Sequence, residues 1–582
     1  MPLFVIMSIR LACTGRRLKV PHLASLLFLL FLFSAVQAQI DPQVTVLNGT
    51  YAGLHLPEFN QDVFLGMPYA QSTGGQNRFR IPQALTGSWN GTRDAKQYGP
   101  ACPDENVEVD GVYGMGEDCL SINIVRPDGV ETGEEVSGLP VVVWIHGGSY
   151  QAGTSALDYY NLTYLVQRSV EVGKPIIAAS INYRKGGWGM MYSREIQGSG
   201  NANLALRDMR KGLAWVQENI EAFGGDTSRV TIWGESAGSF AVGQLLLTYG
   251  GRTDGLFHRS IQESGSATTA WYNGSDWYQP IYDKIVDQVN CTDVPDTLAC
   301  LRTVDYEVLY PFMASSKVKG PGFYPTVDGD IIPNYPSILL STGKFAHIPH
   351  LYGTNSDEGT DNAPSGGIIN TDSDLRTYLQ QATGFDFPPS VIDHIMTLYP
   401  DDPTVGIPLN TGTERFADKG WQYKRIAAIL GDVFYHAPRL FDVRNYVKYG
   451  DETYVYRFNT RGFVNGTNET YTDLSGEIAP AYKGVAHFSE VAFVFGNPKY
   501  VGPWSDYESL SKQMGEQWVN FVYEGNPNGL YLPEWPIYGS RGEQGVNLVL
   551  QTEAQGGSYV EEDTYRLEGR EYLIEWARRR HV

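Results

Sequence analysis

The stretch Val230-Thr231-Ile232-Trp233-Gly234-Glu235-Ser236-Ala237-Gly238 drives a β-branched, apolar run straight into a serine flanked by glycines. Ala237–Tyr249 leaves it as a helix-capable segment. Strand, sharp turn and helix in this order lift a serine side chain clear of a sheet. Glycines at 234 and 238 remove the Cβ atoms that would collide in so tight a bend. The Gly-x-Ser-x-Gly pattern alone carries little weight. With 64 glycines in 582 residues, chance supplies on the order of half a match. The flanking strand and helix are what make it informative.

Working outward, Val141–Ile145 and Pro175–Asn182 are further short apolar runs, of the kind buried on both faces of a mostly parallel sheet. Between the last of these and Val230, the segment Leu204–Phe223 places Leu206, Met209, Leu213, Val216 and Ile220 at helical spacing and stops at Gly224-Gly225. Strands are expected again at Ile348–Gly353 and Thr453–Phe458, and a helix over Tyr507–Tyr523. The alternation predicts one α/β domain over residues 39–582, with a large, mostly parallel central sheet flanked by helices.

Residues 1–38 read as a leader. Arg10, Arg16, Arg17 and Lys19 precede the apolar run Ser25–Val36, and Val36-Gln37-Ala38 presents small residues for cleavage before Gln39. Translation from Met7 is an alternative start. Twelve apolar residues are too few to span about 30 Å of hydrocarbon, so the expectation is secretion without a stable membrane anchor. Cys102, Cys119, Cys291 and Cys300 remain after the leader. Three pairings are possible, and 102–119 with 291–300 is the economical one, each clipping a local loop. Sequons begin at Asn48, Asn90, Asn161, Asn273, Asn290, Asn465 and Asn468, in keeping with an exported glycoprotein. Acids outnumber bases 65 to 44, a net charge of −21, which argues against nucleic acid as a partner.

A second turn lies upstream. The run Val141–Ile145 ends in His146-Gly147-Gly148-Ser149, where backbone N–H groups can be aimed into a cleft, with the Ala237 N–H as their partner donor. Glu117-Asp118-Cys119-Leu120-Ser121-Ile122-Asn123, Ile181-Asn182-Tyr183-Arg184, Phe223-Gly224-Gly225-Asp226 and Gly234–Gly238 together resemble the signatures of the type-B carboxylesterase/lipase family. The resemblance covers essentially all of 39–582. It implies the α/β-hydrolase fold and hydrolysis of carboxylic esters through an acyl-enzyme. It implies Ser236 as nucleophile, Glu358 in Asp357-Glu358-Gly359-Thr360 as the acid, and His487 in Gly484-Val485-Ala486-His487 as the base. It also implies an oxyanion hole from Gly148, Ser149 and Ala237, with Ser149 standing where relatives usually carry a third glycine. Spacing alone leaves Asp357 open as the acid, and His394 and His436 open as the base. The latter two read as packed structural histidines.

The family also contains non-catalytic adhesion proteins, but serine, acid and histidine are all present here. No tryptophan lies between Cys102 and Cys119, which argues against a choline-binding aromatic face. The same loop has sixteen residues, six of them acidic. So short and polar a lid favours small or soluble esters over an interfacial triacylglycerol lipase. His347 and His350 are too close for a metal pair, and Val327–Asp330 lacks the later ligands of a calcium loop. No metal or cofactor is expected, and the partner expected is a small-molecule ester.

Overall fold

In a computed structural model, the described residues are 41–104, 114–133, 137–314, 322–364, 366–381, 387–464, 477–542 and 544–579. The leader, the middle of the first cysteine loop, and the sequons at Asn465 and Asn468 lie outside them. The described residues from Pro42 onward form one compact unit. Among the described residues, no helix is long and apolar enough to cross a membrane.

Eleven strands form the main sheet. In chain order they are β1 (Leu54–Leu56), β2 (Gln61–Pro68), β3 (Ser121–Pro127), β4 (Leu139–Ile145), β5 (Ile177–Ile181), β6 (Gly225–Glu235), β7 (Arg259–Glu263), β8 (His350–Asn355), β9 (Thr453–Phe458), β10 (Val546–Leu550) and β11 (Tyr559–Glu562). Their spatial order is 11-10-9-8-7-6-4-5-3-2-1. The stretch from β5 through β4 and β6 to β10 is parallel. Antiparallel strands close both edges. This large, mostly parallel sheet flanked by helices is the α/β-hydrolase fold.

The period of two along each strand divides the core into two layers. Val141, Val143 and Ile145 of β4, with Val230 and Ile232 of β6, belong to one layer. Helices α2 (Leu204–Asn219) and α3 (Ala237–Leu247) cover it through residues such as Met209, Leu213 and Leu245. Val142 and Trp144 of β4 with Trp233 of β6 belong to the other layer, under α1 (Thr163–Glu171) and α4 (Ser505–Glu524). There Phe495 stacks on Trp233 at 4.7 Å and meets Trp144 edge-on at 4.9 Å. Burial on both faces explains why these strands read as continuous apolar runs.

Thr453–Phe458 is a strand over the expected residues, whereas β6 begins earlier than expected, at Gly225. The helix expected over Ala237–Tyr249 ends at Leu247, and Tyr249 takes a positive φ of 52°. Cysteines 102 and 119 are bonded (Cα–Cα 4.9 Å), as are 291 and 300 (5.7 Å). The segment Val327–Asp330 is a turn in which Asp328 Oδ1 accepts from the N–H groups of Asp330 and Ile332.

The sheet decides where chemistry can gather. The chain leaves β4 for β5 on one side and β6 on the other, a topological switch at which the carboxyl ends of parallel strands open a crevice. The turn after β4, the elbow after β6 and the loop after β8 all emerge at those ends.

Candidate active site

Ser236 sits between β6 and α3 with φ 55° and ψ −123°, a sparsely populated conformation for a residue with a side chain. Neighbours over-determine it. Its N–H donates to Glu263 O of β7 at 2.9 Å, and its carbonyl accepts from Phe240 N at 2.9 Å. Gly238 packs on the Ile145 carbonyl so closely that any Cβ there would overlap it. The serine also lies at the N-terminus of α3, where free N–H groups favour a developing negative charge.

The turn after β4 abuts this elbow. A Cβ on Gly147 would stand 2.8 Å from Glu235 O and 3.1 Å from the Ser236 Cβ. The next residues take positive φ, Gly148 at 104°, Ser149 at 56° and Tyr150 at 61°. Gly148 and Ser149 are exposed, and Ala237 is buried in the first turn of α3. The positive φ at 149 is the backbone reason a glycine suits this position.

Glu358 follows β8 in a single 3₁₀ turn and is fully buried. Its Oε2 meets His487 Nδ1 at 2.7 Å. Its Oε1 accepts from Asn355 N at 2.7 Å and lies 2.5 Å from Ser264 Oγ. Three hydrogen bonds fix the carboxylate in this orientation. Asp357 turns the other way: Oδ2 accepts from Val485 N and Oδ1 from Leu409 N, each at 2.8 Å. It thereby ties down the loop that carries His487. Burial pushes Asp357 up to about 6. It is Glu358, not Asp357, that meets the imidazole. The Tyr435 ring, in the π-turn Asp432–His436, lies 4.6 Å from the His487 ring.

Three further glutamates crowd the site, all fully buried. Glu235 Oε1 stands 3.2 Å from His487 Nε2. Glu490 Oε1 lies 3.2 Å from Ser264 Oγ, and its Oε2 accepts from Asn355 Nδ2 at 2.5 Å. Glu263 Oε1 accepts from the indoles of Trp233 at 2.8 Å and Trp518 at 2.6 Å. Burial pushes Glu235 and Glu263 well above the usual carboxylate range, and Glu490 up to about 7. For His487, burial favours the neutral ring, but the carboxylates of Glu235 and Glu358 outweigh it and raise the imidazole above its ordinary value. The acid limb of any activity that needs the neutral ring is therefore expected above the free imidazole value of about 6.5. Glu235 and His487 can share one proton. With the proton on Glu235, Nε2 is unprotonated and can act as a base.

Reasoning from sequence missed Glu235, Glu263 and Glu490 as members of this cluster. A signal existed for two of them, since acids closing the buried strands β6 and β7 are out of place unless they serve a site. Of the other histidines, His436 is buried, with Nδ1 3.1 Å from Thr354 Oγ1, and burial holds it neutral. His394 departs from the expectation of a packed residue. It lies exposed on the helix Pro389–Leu398, its ring 4.2 Å from Tyr572. Neither approaches the elbow through any hydrogen bond found among the described residues.

A strained serine at a strand–helix elbow, whose chain neighbour Glu235 meets the imidazole of the Glu358–His487 pair, is suited to nucleophilic acyl transfer. Relatives bear on which kind. The chain is 34% identical to Lipase 4 of Diutina rugosa, covering 93% of this chain and 97% of that protein. It is 32% identical to Secreted lipase 1 of Botryotinia fuckeliana over 92% of each chain. It is 35% identical to a secreted triacylglycerol lipase of Gibberella zeae, over 67% of this chain and 70% of that protein. The profile of the carboxylesterase family matches residues 39–566. The chain belongs to the carboxylesterase family and is a carboxylic-ester hydrolase.

Proposed function

We propose that the protein is a secreted serine hydrolase that cleaves small or soluble carboxylic esters through an acyl-enzyme. The 2.7 Å contact between His487 and the buried Glu358, together with the strained elbow, carries this reading. Ser236 Oγ attacks the ester carbonyl as His487 Nε2 takes its proton. Glu358 holds Nδ1 and stabilises the imidazolium. The N–H groups of Gly148, Ser149 and Ala237 receive the oxyanion, each such donor typically supplying about 2.7–4 kcal/mol of transition-state stabilisation. The imidazolium then protonates the leaving alcohol, and water, activated in turn by His487, frees the acid. Export is supported by the leader 1–38, the two disulfides and exposed sequon residues at Asn90 and Asn290.

Ser236→Ala is expected to abolish turnover of p-nitrophenyl esters while leaving secretion intact; residual activity above a few per cent removes Ser236 from its role. The relatives, one of them a secreted triacylglycerol lipase, favour a second reading, a triacylglycerol lipase. Tributyrin assayed below and above its solubility limit separates the two. A smooth saturation curve supports the soluble-ester reading, and a sharp jump at the interface supports the lipase.

A further inference from the structure

Lys185 has no exposed surface, and neither has the side chain of Asp104, its partner at 2.8 Å. A fully buried lysine is rare, and its desolvation is tolerated only where the charge is paired and the remaining donors are used. Here both partners also bond to one and the same residue. Lys185 Nζ donates to Gly153 O, and Asp104 Oδ2 accepts from Gly153 N at 3.2 Å. Gly153 closes the turn that begins at His146. It packs where a Cβ would stand 2.8 Å from Gly147 O and 2.9 Å from His146 Nδ1. Between them Gly148 O accepts from both Gln151 N and Ala152 N at 2.9 Å, so a shift at Gly153 is transmitted to Gly148.

The segment after β5 grips the same turn elsewhere. Tyr183 OH donates to His146 O at 2.7 Å, and Gly186 N donates to Tyr150 O at 2.7 Å. Those grips hold its entrance and middle; the ion pair holds Gly153 at its exit, and Thr154 and Ser155 just beyond donate to Asn182 Oδ1. Asp104 itself stands two residues beyond Cys102 of the first disulfide, and its carbonyl accepts from Tyr310 OH at 2.9 Å. The stem of the cysteine loop is thus wired through two buried charges to the turn beside Ser236.

We propose that Lys185 and Asp104 are positioning residues that set the oxyanion-binding turn Gly147–Gly153. The inference rests on the acyl-enzyme reading above. Its consequence is selective: loosening Gly153 moves the Gly148 and Ser149 N–H groups, which act in the transition state, more than it moves the ground-state pocket. Such a loss lowers kcat and spares KM.

The test compares Asp104→Asn, Lys185→Met and the double variant Asp104→Leu/Lys185→Met with wild type on p-nitrophenyl butyrate. Single removal of a buried partner strands a charge and can prevent folding. The double variant leaves none, since apolar replacement of a whole buried pair is often neutral for stability. Asp104→Asn keeps an acceptor for Lys185 and for Gly153 N–H, and should show the same effect at smaller amplitude. The double variant is expected to melt near wild type and lose at least tenfold in kcat with KM within twofold. Its affinity for a trifluoromethyl ketone, whose serine adduct carries an oxyanion, should fall by the same factor. A folded double variant with kcat and ketone affinity within twofold of wild type overturns the proposal, as does a change confined to KM. If wild type itself neither hydrolyses the ester nor binds the ketone, the acyl-enzyme reading fails, and the positioning role assigned on it falls with it.

Discussion

Glu235 precedes Ser236 in the chain, yet its side chain faces His487 Nε2 at 3.2 Å, the nitrogen that the proposed mechanism needs free. An opposite charge at this range favours the protonated imidazole and typically commands 1–3 pH units. The base form of a raised histidine is lost as pH falls through the raised value, so the acid limb of kcat/KM in wild type should lie above about 6.5. Glu235→Gln keeps the shape and removes the charge. It should move that limb down by about one pH unit while leaving its slope unchanged. A pH profile of kcat/KM on a neutral ester measures this directly. A limb that stays in place would show that Glu235 is already neutral over the working range and that Glu358 alone raises the imidazole.

At the scale of elements, the elbow and the turn after β4 work as one unit because Gly147 lets them touch. Gly147→Ala would place a methyl 2.8 Å from the Glu235 carbonyl and 3.1 Å from the Ser236 Cβ, and one of the two backbones must give. The expected result is a loss of tenfold or more in kcat, about 1.4 kcal/mol of transition-state stabilisation, with the melting temperature lowered by only a few degrees. Unchanged kcat would mean that the turn tolerates displacement. The central strands were legible because parallel strands buried on both faces are written as unbroken apolar runs, as Thr453–Phe458 is. The start of β6 was not, because Asp226–Arg229 is polar and only partly buried. The elbow was legible for a similar reason, being a local pattern of strand, glycine and helix. Glu358 and His487 were not legible from spacing, since they enter from separate strand ends. What distinguishes Glu358 from Asp357 is which hydrogen bonds each makes, and only the fold supplies those. Glu490 escaped notice because a carboxylate in sequence reads as surface until its partner, here an asparagine amide, is in view.

Across the whole molecule, buried acids dominate the pH response. Burial pushes Glu235 and Glu263 well up, and Glu490 and Asp442 to about 7. The folded chain therefore keeps protons that the unfolded chain has released by about pH 5. The proton that Glu235 and His487 share counts once in this sum. Stability from such groups is present at lower pH and is lost as pH rises through their folded values. Each proton contributes a slope of about 1.4 kcal/mol per pH unit. Buried His146, His350 and His436 act oppositely, since burial lowers them. Their cost falls below about pH 6.5, where the unfolded imidazole charges, so they contribute little above pH 7. Asp563, held far below the usual carboxylate range against its own burial by Arg439 and Arg570, is ionised in both states throughout that range. The net charge of −21 adds self-repulsion that grows with pH. The melting temperature is therefore expected to fall between pH 7 and 8.5 at constant ionic strength, read by calorimetry. Glu263→Gln offers a neutral side chain whose carbonyl can still accept from Trp233 and Trp518, and it should flatten that decline. A melting temperature that rises over this range, or a decline as steep in the variant as in wild type, would show that these carboxyls are not the groups that hold the protons.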